Sequence, residues 1–486
     1  MPQSSMMFLS ATEQAKALRN GKVTARELLN QCLDQYMRHN ARLNAIVVTD
    51  LDRAKAMATA ADKRLRAGKP CGQFDGVPMT IKESFDWTGL PSTWGAPRLR
   101  DNIATADAVA AARMGAAGAV IYGKTNVPLM LADWQSFNDV YGTTNNPWDL
   151  SRAPGGSSGG SAVALATGMS ALELGSDIGA SIRNPAHYCG VYGHKPTWGV
   201  VPYRGHFLPG IVQPSDISVP GPLARSAKDL GAMMKILAGA DGAESRAMTI
   251  SLPPAPQKSL KDFRVAIMLS DPVSEVDQPV QDKIAALGAF LAPKVKTLSF
   301  TARPAFSTRE AMDVYITLLR AATSRRQTEA EFAANAAKVQ NFAETDHSYY
   351  AEMLRAFVIP HRNWLMVSER RHQMRLLWEA FFEDWDVMLC PAAASAAFPH
   401  DQKGERHERT ITVNGKQVPT TDQLFWAGYS GCFYLPSTVA PLGLTPQGLP
   451  SGVQIIARGY GDMIAIRFAE LLEKAYCGFT PPPDYA

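Results

Sequence analysis

No two cysteines in this chain form a Cys-x-x-Cys pair or any other metal-ligand spacing; Cys32, Cys71, Cys189, Cys390, Cys432 and Cys477 stand far apart. That excludes a zinc module and a disulfide framework, and the expectation is free, mostly buried thiols in a reducing compartment. Also missing is any uninterrupted apolar run of about 18 residues, so no membrane span is expected. The opening stretch from Met1 to Ser10 has neither the basic leader nor the long apolar segment of a secretion signal, which makes the cytoplasm the default address. Charge is sparse: 19% of residues are charged and the formal net charge is +4. The densest basic run, Arg370-Arg371-His372 with Arg375, recurs at helical spacing beside Glu369 and Glu379, and reads as a solvated helix face rather than a nucleic-acid surface. Neither nucleic acid nor a membrane is therefore expected as a partner, no metal or other cofactor is called for, and a homodimer stays open.

What is present is apolar material, 46% of 486 residues, enough for a large core. Two capping boxes, Ser10-x-x-Glu13 and Thr24-x-x-Glu27, each lead into an apolar-periodic run and predict helices. Asp107 to Met114 reads as an alanine-rich helix, followed by a strand Ala119 to Tyr122 that stops at Gly123. The order repeats with a helix from Ser161 to Thr167, an apolar stretch from Ala171 to Leu174 and a loop beginning at Gly175. Helices alternating with short buried strands predict an α/β fold with a central mixed β-sheet and helices on both faces. Between about Ser251 and Ala393 the character changes to one strand, Phe263 to Met268, and long helical runs carrying Tyr315, Trp364, Met366, Trp378 and Trp385, whose stripe reads as core packing. Near the end, Thr410 to Val418 is a hairpin whose Asn414-Gly415 fits a type I′ turn.

Three segments carry chemistry. In Gly76-Val-Pro-Met-Thr-Ile-Lys82 the residues alternate as in a strand, with Lys82 on the face opposite Val77, Met79 and Ile81. Taken alone, that lysine is a solvated surface residue. The loop Gly155-Gly-Ser157-Ser158-Gly-Gly-Ser161 brackets two serines with glycines. It is no Walker loop, because Ser161 stands where lysine is required, and it lacks G-x-G-x-x-G. Gly155 to Gly159 does satisfy G-x-S-x-G, the nucleophile elbow, which would make Ser157 the attacker and require a histidine. An elbow follows an apolar strand, however, whereas Asn145 to Pro154 is turn chemistry, and none of His187, His194, His206, His347, His361, His372, His400 and His407 lies in a motif that singles it out. In Gly175-Ser-Asp177-Ile178-Gly179-Ala180-Ser181-Ile-Arg183 small residues let backbone N–H groups approach a substrate oxygen, so Ser181 is a second candidate attacker. The bland alternative is a tight turn with Asp177 and Arg183 paired across it.

Together these segments resemble the amidase signature family. Further matching stretches are Gly-Lys124-Thr-Asn126, Gly-His194-Lys195-Pro196-Thr197, Gly221-Pro-Leu-Ala-Arg225-Ser226, Trp385 to Pro391, Leu435 to Thr438 and Gly448 to Gln454, leaving the middle helical region without close match. The resemblance implies a single domain over 1–486, with a catalytic core at about 70–230, a variable helical subregion at about 251–393 and a return to the core at 394–486. It implies a Ser-cisSer-Lys triad in which Ser181 is the nucleophile, Ser157 the bridging serine after a cis peptide bond and Lys82 the base. Ser158, Asp177 and Arg183 would support the triad. The backbone N–H groups of Ile178, Gly179, Ala180 and Ser181 would form the oxyanion hole. Many relatives have glycine where this chain has Ala180; if that residue needs positive φ, alanine costs about 1 kcal/mol or more.

The implied reaction is hydrolysis of a carboxylic amide through an acyl-serine, with a small-molecule amide as partner. Leu131 and Trp134 are available as an acyl-pocket wall, with Tyr188 and Cys189 after the nucleophile loop. These mostly apolar neighbours point to aryl or aliphatic amides, with carbamates, esters or lactams as extensions, and no charged clamp for a carboxylate is evident. Two other readings are a glutamine-hydrolysing subunit of a tRNA amidotransferase and a silent binding protein on the same scaffold. The first expects Ser-Ser-x-Asp-Gln before Gly-Pro, where this chain reads Gln213-Pro-Ser-Asp-Ile-Ser-Val-Pro-Gly-Pro222; the second is disfavoured because all three triad positions are filled.

Overall fold

The computed structural model describes residues 6–485; Met1 to Ser5, half of the stretch read for a leader, lie outside the described residues. Both capping boxes form as expected, opening helices Ala11–Arg19 and Ala25–Leu43. The centre is an 11-stranded mixed sheet surrounded by helices. Its spatial order is Ile46–Thr49, Val120–Thr125, Pro78–Lys82, Leu172–Asp177, Val219–Ala224, Tyr192–Lys195, Ser437–Leu444, Pro450–Ile456, Val387–Pro391, Arg264–Ile267 and Thr297–Ser299. Pro78–Lys82 runs parallel to both of its neighbours, while Leu172–Asp177 is antiparallel to Val219–Ala224. Strands buried on both faces need no polar alternation, which explains why Pro78–Lys82 and Leu172–Asp177 are buried at every position. Among the described residues, no helix is long and apolar enough to cross a membrane.

Several boundaries differ from the sequence reading for one reason: glycine serves close approach rather than termination. The strand does not stop at Gly123 but runs from Val120 to Thr125. A Cβ on Gly123 would stand 2.7 Å from Val48 O of the adjacent strand, so glycine is what lets the two backbones meet there. Likewise the strand expected to end before Gly175 continues to Asp177, and the small-residue helix starts two residues earlier, spanning Gly159–Ala166. The Asn414-Gly415 hairpin joins Thr410–Val413 to Lys416–Pro419, with both turn residues at positive φ, 50° and 76°.

The middle region supplies helices Thr308–Ser324, Glu329–Val339, Tyr349–Phe357 and His361–Asp384, and also three strands of the same sheet. Tyr315 and Trp378 are buried in the core and Trp364 and Trp385 pack against it, as expected, whereas Met366 is 61% exposed and takes no part. The basic run is not uniformly solvated either. Arg371 is buried, its Nη1 2.7 Å from Asp216 Oδ2, and its guanidinium stacks on Tyr434 at 4.5 Å. All six cysteines are free; four are buried, Cys477 is half-buried and Cys71 is exposed.

At the centre of the sheet Glu173 is fully buried, accepting a hydrogen bond from the Thr80 hydroxyl on the neighbouring strand, while its Oε2 has no partner. Burial pushes its carboxyl up to about 8, against the hydroxyls of Thr80, Ser161, Ser170 and Thr125, which favour the ionised form. The folded state then holds a proton that the unfolded chain releases at ordinary carboxyl pH, so this group lowers stability as pH rises toward about 8 and no further. Relative to a Glu173→Gln variant, the wild type should lose melting temperature over that window; parallel curves for the two proteins would show that Glu173 is not protonated in the fold.

Candidate active site

Lys82 ends the strand Pro78–Lys82 and its side chain is 0% exposed. Its Nζ lies 2.7 Å from Ser157 Oγ and 3.0 Å from Ser176 Oγ, and it forms no ion pair among the described residues. Burial holds the amine well below its ordinary range; the carboxylate of Asp177 opposes this and the guanidinium of Arg326 adds to it. The context reverses the solvated reading of this residue.

Ser157 follows a cis peptide bond from Gly156, in a buried loop that leads into the helix Gly159–Ala166. The loop is fitted tightly to its surroundings. A Cβ on Gly156 would stand 2.3 Å from Asp133 O, the Gly156 N–H donates to Asn184 Oδ1 at 3.2 Å, and Ser136 Oγ donates to Gly155 O at 3.0 Å. The Ser158 N–H donates to Ser181 O at 3.1 Å, tying this loop to the next; Ser158 is buried with its hydroxyl against Ser176 O at 3.5 Å.

Ser181 sits in the turn between the strand Leu172–Asp177 and the helix Arg183–Cys189, 5% exposed. Asp177 organises that turn. Its carboxylate accepts from the N–H groups of Ala180 and Ile182, both at 3.0 Å, and from Arg183 Nε and Nη2 at 3.0 and 2.8 Å. Burial alone would raise the Asp177 carboxyl, but Arg183, the Ile182 N–H and Lys195 together hold the group below its ordinary range. Arg183 in turn donates to Ala427 O, Ser430 Oγ and Gln454 Oε1, anchoring the turn to the C-terminal part of the sheet. So the Asp177–Arg183 pair exists as the bland reading has it, and it shapes the serine turn rather than replacing it.

Two further side chains set the peptide planes of the turn. The Tyr315 hydroxyl donates to Ile178 O at 3.0 Å and the Trp134 indole to Gly179 O at 2.6 Å. Because peptides are planar, fixing those carbonyls aims the N–H groups of Gly179 and Ala180 the opposite way. Among the described residues, the N–H groups of Ile178, Gly179 and Ser181 have no acceptor. The Ala180 N–H does, in Asp177, which takes it out of the expected oxyanion set and leaves three free donors. Ala180 adopts φ 68°, the conformation in which alanine costs about 1 kcal/mol or more over glycine.

A cavity of about 690 Å³ reaches the turn at Ile178 and is walled largely by apolar residues, with Leu131 among them. Trp134 does not line it; its indole braces Gly179 instead, a correction to its expected place on the pocket wall. Tyr188 and Cys189 are likewise fully buried away from the cavity, with Cys189 Sγ on Pro154 O at 3.4 Å. Among the described residues no histidine bonds to Ser157, the partner that the elbow reading requires. Ser157 follows irregular chain, and His187, His194 and His206 bond to Gly452 and Ser395, to Thr438 and Asp462, and to Ser84. The Ser157 and Ser181 hydroxyls are brought to adjoining loops but share no hydrogen bond in this structure. Sequence alone does not single out Ser176, Asn184 or Tyr315; only Ser176, one residue before Asp177 in a small-residue segment, carries a local signal. Among the described residues no three His, Cys, Asp or Glu side chains converge on a metal position.

Comparison with known proteins gives a consistent picture. The profile of the family described as Amidase matches residues 27–464. The chain is 31% identical to the acylamidase of Rhodococcus erythropolis over 97% of this chain and 96% of that one. It is 30% identical to the indoleacetamide hydrolase of Bradyrhizobium diazoefficiens, over 97% of this chain and 87% of that one. A solved bacterial aryl acylamidase of the amidase signature enzymes superposes with a TM-score of 0.80 at 24% identity, covering 98% of this chain and 97% of its own, and shares the fold.

Removing the counter-charge of Asp177 tests how the turn is held. Arg183→Met leaves a buried carboxylate unpaired and should lower unfolding free energy by about 3–5 kcal/mol in urea titrations; a loss under about 1 kcal/mol would mean that the pair does not brace the turn.

Proposed function

The chain belongs to the amidase family, hydrolases of carbon–nitrogen bonds in amides, and on that premise we propose that it cleaves aryl or aliphatic amides to acid plus amine by a Ser181–Ser157–Lys82 relay. The observation that carries this reading is the dry amine of Lys82 at 2.7 Å from Ser157 Oγ. A free lysine titrates near about 10.4, so neutralising it at pH 7 costs about 4.6 kcal/mol, and full burial supplies shifts of about 3–5 pH units. Burial is thus large enough to leave a neutral base at working pH.

Neutral Lys82 takes the Ser157 proton as Ser157 takes that of Ser181, and Ser181 Oγ attacks the amide carbon. Catalytic hydrogen bonds commonly tighten only once substrate is bound, and the Ser157–Ser181 link closes as the carbonyl docks. The tetrahedral oxyanion is held by the N–H groups of Ile178, Gly179 and Ser181, already aimed and without competing acceptors. The C–N bond breaks as Ser157 returns a proton to the leaving nitrogen, giving amine and acyl-Ser181. Water then attacks the acyl carbon, its proton passing through Ser157 to Lys82; the bond from the acyl carbon to Ser181 Oγ breaks as the proton returns through Ser157 to Ser181, which frees the acid and restores the neutral amine. Esters, carbamates and lactams present the same carbonyl to the same groups.

The apolar walls of the cavity support aryl or aliphatic substrates: a pocket of this size accommodates a drug-sized molecule and rewards apolar area. In assays of 4-nitroanilides, Ser181→Ala and Lys82→Ala should each lower kcat by about a thousandfold or more. In the wild type, kcat/KM should rise with pH through the depressed lysine titration, because the ammonium form cannot accept the proton. Full activity in Ser181→Ala, with loss in Ser157→Ala and in a histidine variant, would transfer the nucleophile to Ser157.

A further inference from the structure

The cavity beside Ile178 is largely apolar but also carries charge. Leu129, Met130, Leu131, Leu319 and Phe357 form the walls, and Arg320 and Arg326 line it too, with Arg98 as a third arginine. Neither Arg320 nor Arg326 has a carboxylate within ion-pair distance among the described residues. Arg320 is 7% exposed; one Nη2 bond goes to the Tyr349 hydroxyl, its guanidinium stacks on that ring at 5.4 Å, and its Nε is buried with no partner. Arg326 gives Nη1 to Met130 O at 2.8 Å and lies 5.8 Å from the Trp94 ring. The acid that lines the cavity, Glu331, is already engaged, accepting from Thr328 N at 2.6 Å and Thr328 Oγ1 at 3.0 Å in the cap of its own helix. The two guanidinium groups also repel each other: burial comes first in pushing both pKa values down, and Arg320 adds to the effect on Arg326. Arginine nonetheless stays charged.

Like charges, one buried and one half-buried, with spare donors and no anion form a recognition site waiting for one. We propose that the substrates are amides whose apolar acyl group carries a carboxylate, bound by Arg320 and Arg326, which line the same cavity as Ile178. A guanidinium offers a planar fork of N–H groups matched to the two oxygens of a carboxylate, and the walls between suit methylenes. Tyr315, which holds Ile178 O, and Arg320 are on the same helix, Thr308–Ser324, so one element both braces the serine turn and brings a guanidinium to the cavity. No motif signals such a clamp, because both arginines come from the region without family motifs. This inference rests on the amidase reading for its chemistry, and its outcome can be separated from it.

The test pairs the mono-4-nitroanilide of suberic acid with octanoic 4-nitroanilide, which replaces the far carboxylate by a methyl group at equal length. The wild type should show kcat/KM at least about tenfold higher for the suberic compound, and Arg320→Gln and Arg326→Gln should each collapse that ratio toward one, with Arg320→Lys keeping part of it. Calorimetric binding of both compounds to Ser181→Ala gives the same comparison without turnover. Hydrolysis of the octanoic anilide with no advantage for the carboxylate overturns this proposal and leaves the amidase reading intact. No hydrolysis of either compound, with tighter suberic binding that vanishes in Ser181→Ala/Arg320→Gln, removes the proposed chemistry and keeps the carboxylate clamp. Equal binding of the two compounds removes the clamp.

Discussion

An amine sealed from water against a serine hydroxyl is the arrangement from which the rest of this site takes its purpose. Lys82 can sit there because it ends a strand flanked on both sides by parallel neighbours, where the sheet and the buried serine loop exclude solvent from every direction. Burying an ammonium is costly, so the fold favours the neutral form, the one the proposed base needs. The contacts it keeps are two hydroxyls, Ser157 and Ser176, which can serve a neutral amine without reinstating its charge. A carboxylate in direct contact would instead hold the proton on.

The second constraint is the turn that carries Ser181. One buried carboxylate, Asp177, gathers three backbone N–H groups and the Arg183 fork, and Arg183 ties that turn to helix Leu424–Gly431 and to Gln454. Tyr315 and Trp134 fix the carbonyls on the other side. Residues far apart in the chain thus converge to leave three N–H groups without an acceptor, the preorganisation that the proposed oxyanion hole requires. The helix bearing Tyr315 also leads to the two arginines, so the stretch with no family motifs both supports the oxyanion turn and lines the pocket.

How much is legible in the sequence follows from where the information is local. Lys82, Ser157 and Ser181 can be read because each lies in a short run whose small residues have no other good explanation, and the α/β sheet because helix caps and buried runs alternate. Ser176 stays hidden as long as Gly175 reads as a break. That glycine sits inside the strand because Leu223 Cδ1 and Ser158 Oγ fill the space a Cβ would need, at 2.7 and 2.9 Å. Trp134 reads as pocket wall since nothing local distinguishes an indole that faces substrate from one that donates to Gly179. For Ala180 the sequence poses a condition that its φ meets; that its N–H is spent on Asp177 depends on the turn's closure, which no spacing reveals. Arg371 looks solvated by its helical neighbours and is buried by a partner, Asp216, from a distant loop. Tertiary pairing is the common element in each miss.

The central claim is a protonation state, and it can be observed without relying on turnover. Selective labelling of lysine side chains and an NMR titration of the Lys82 amine in the folded protein should find it uncharged at pH 7, with its titration displaced far below that of the surface lysines. A Lys82 signal that remains protonated at pH 7 and titrates with the surface lysines, near about 10.4, would contradict the account at its base.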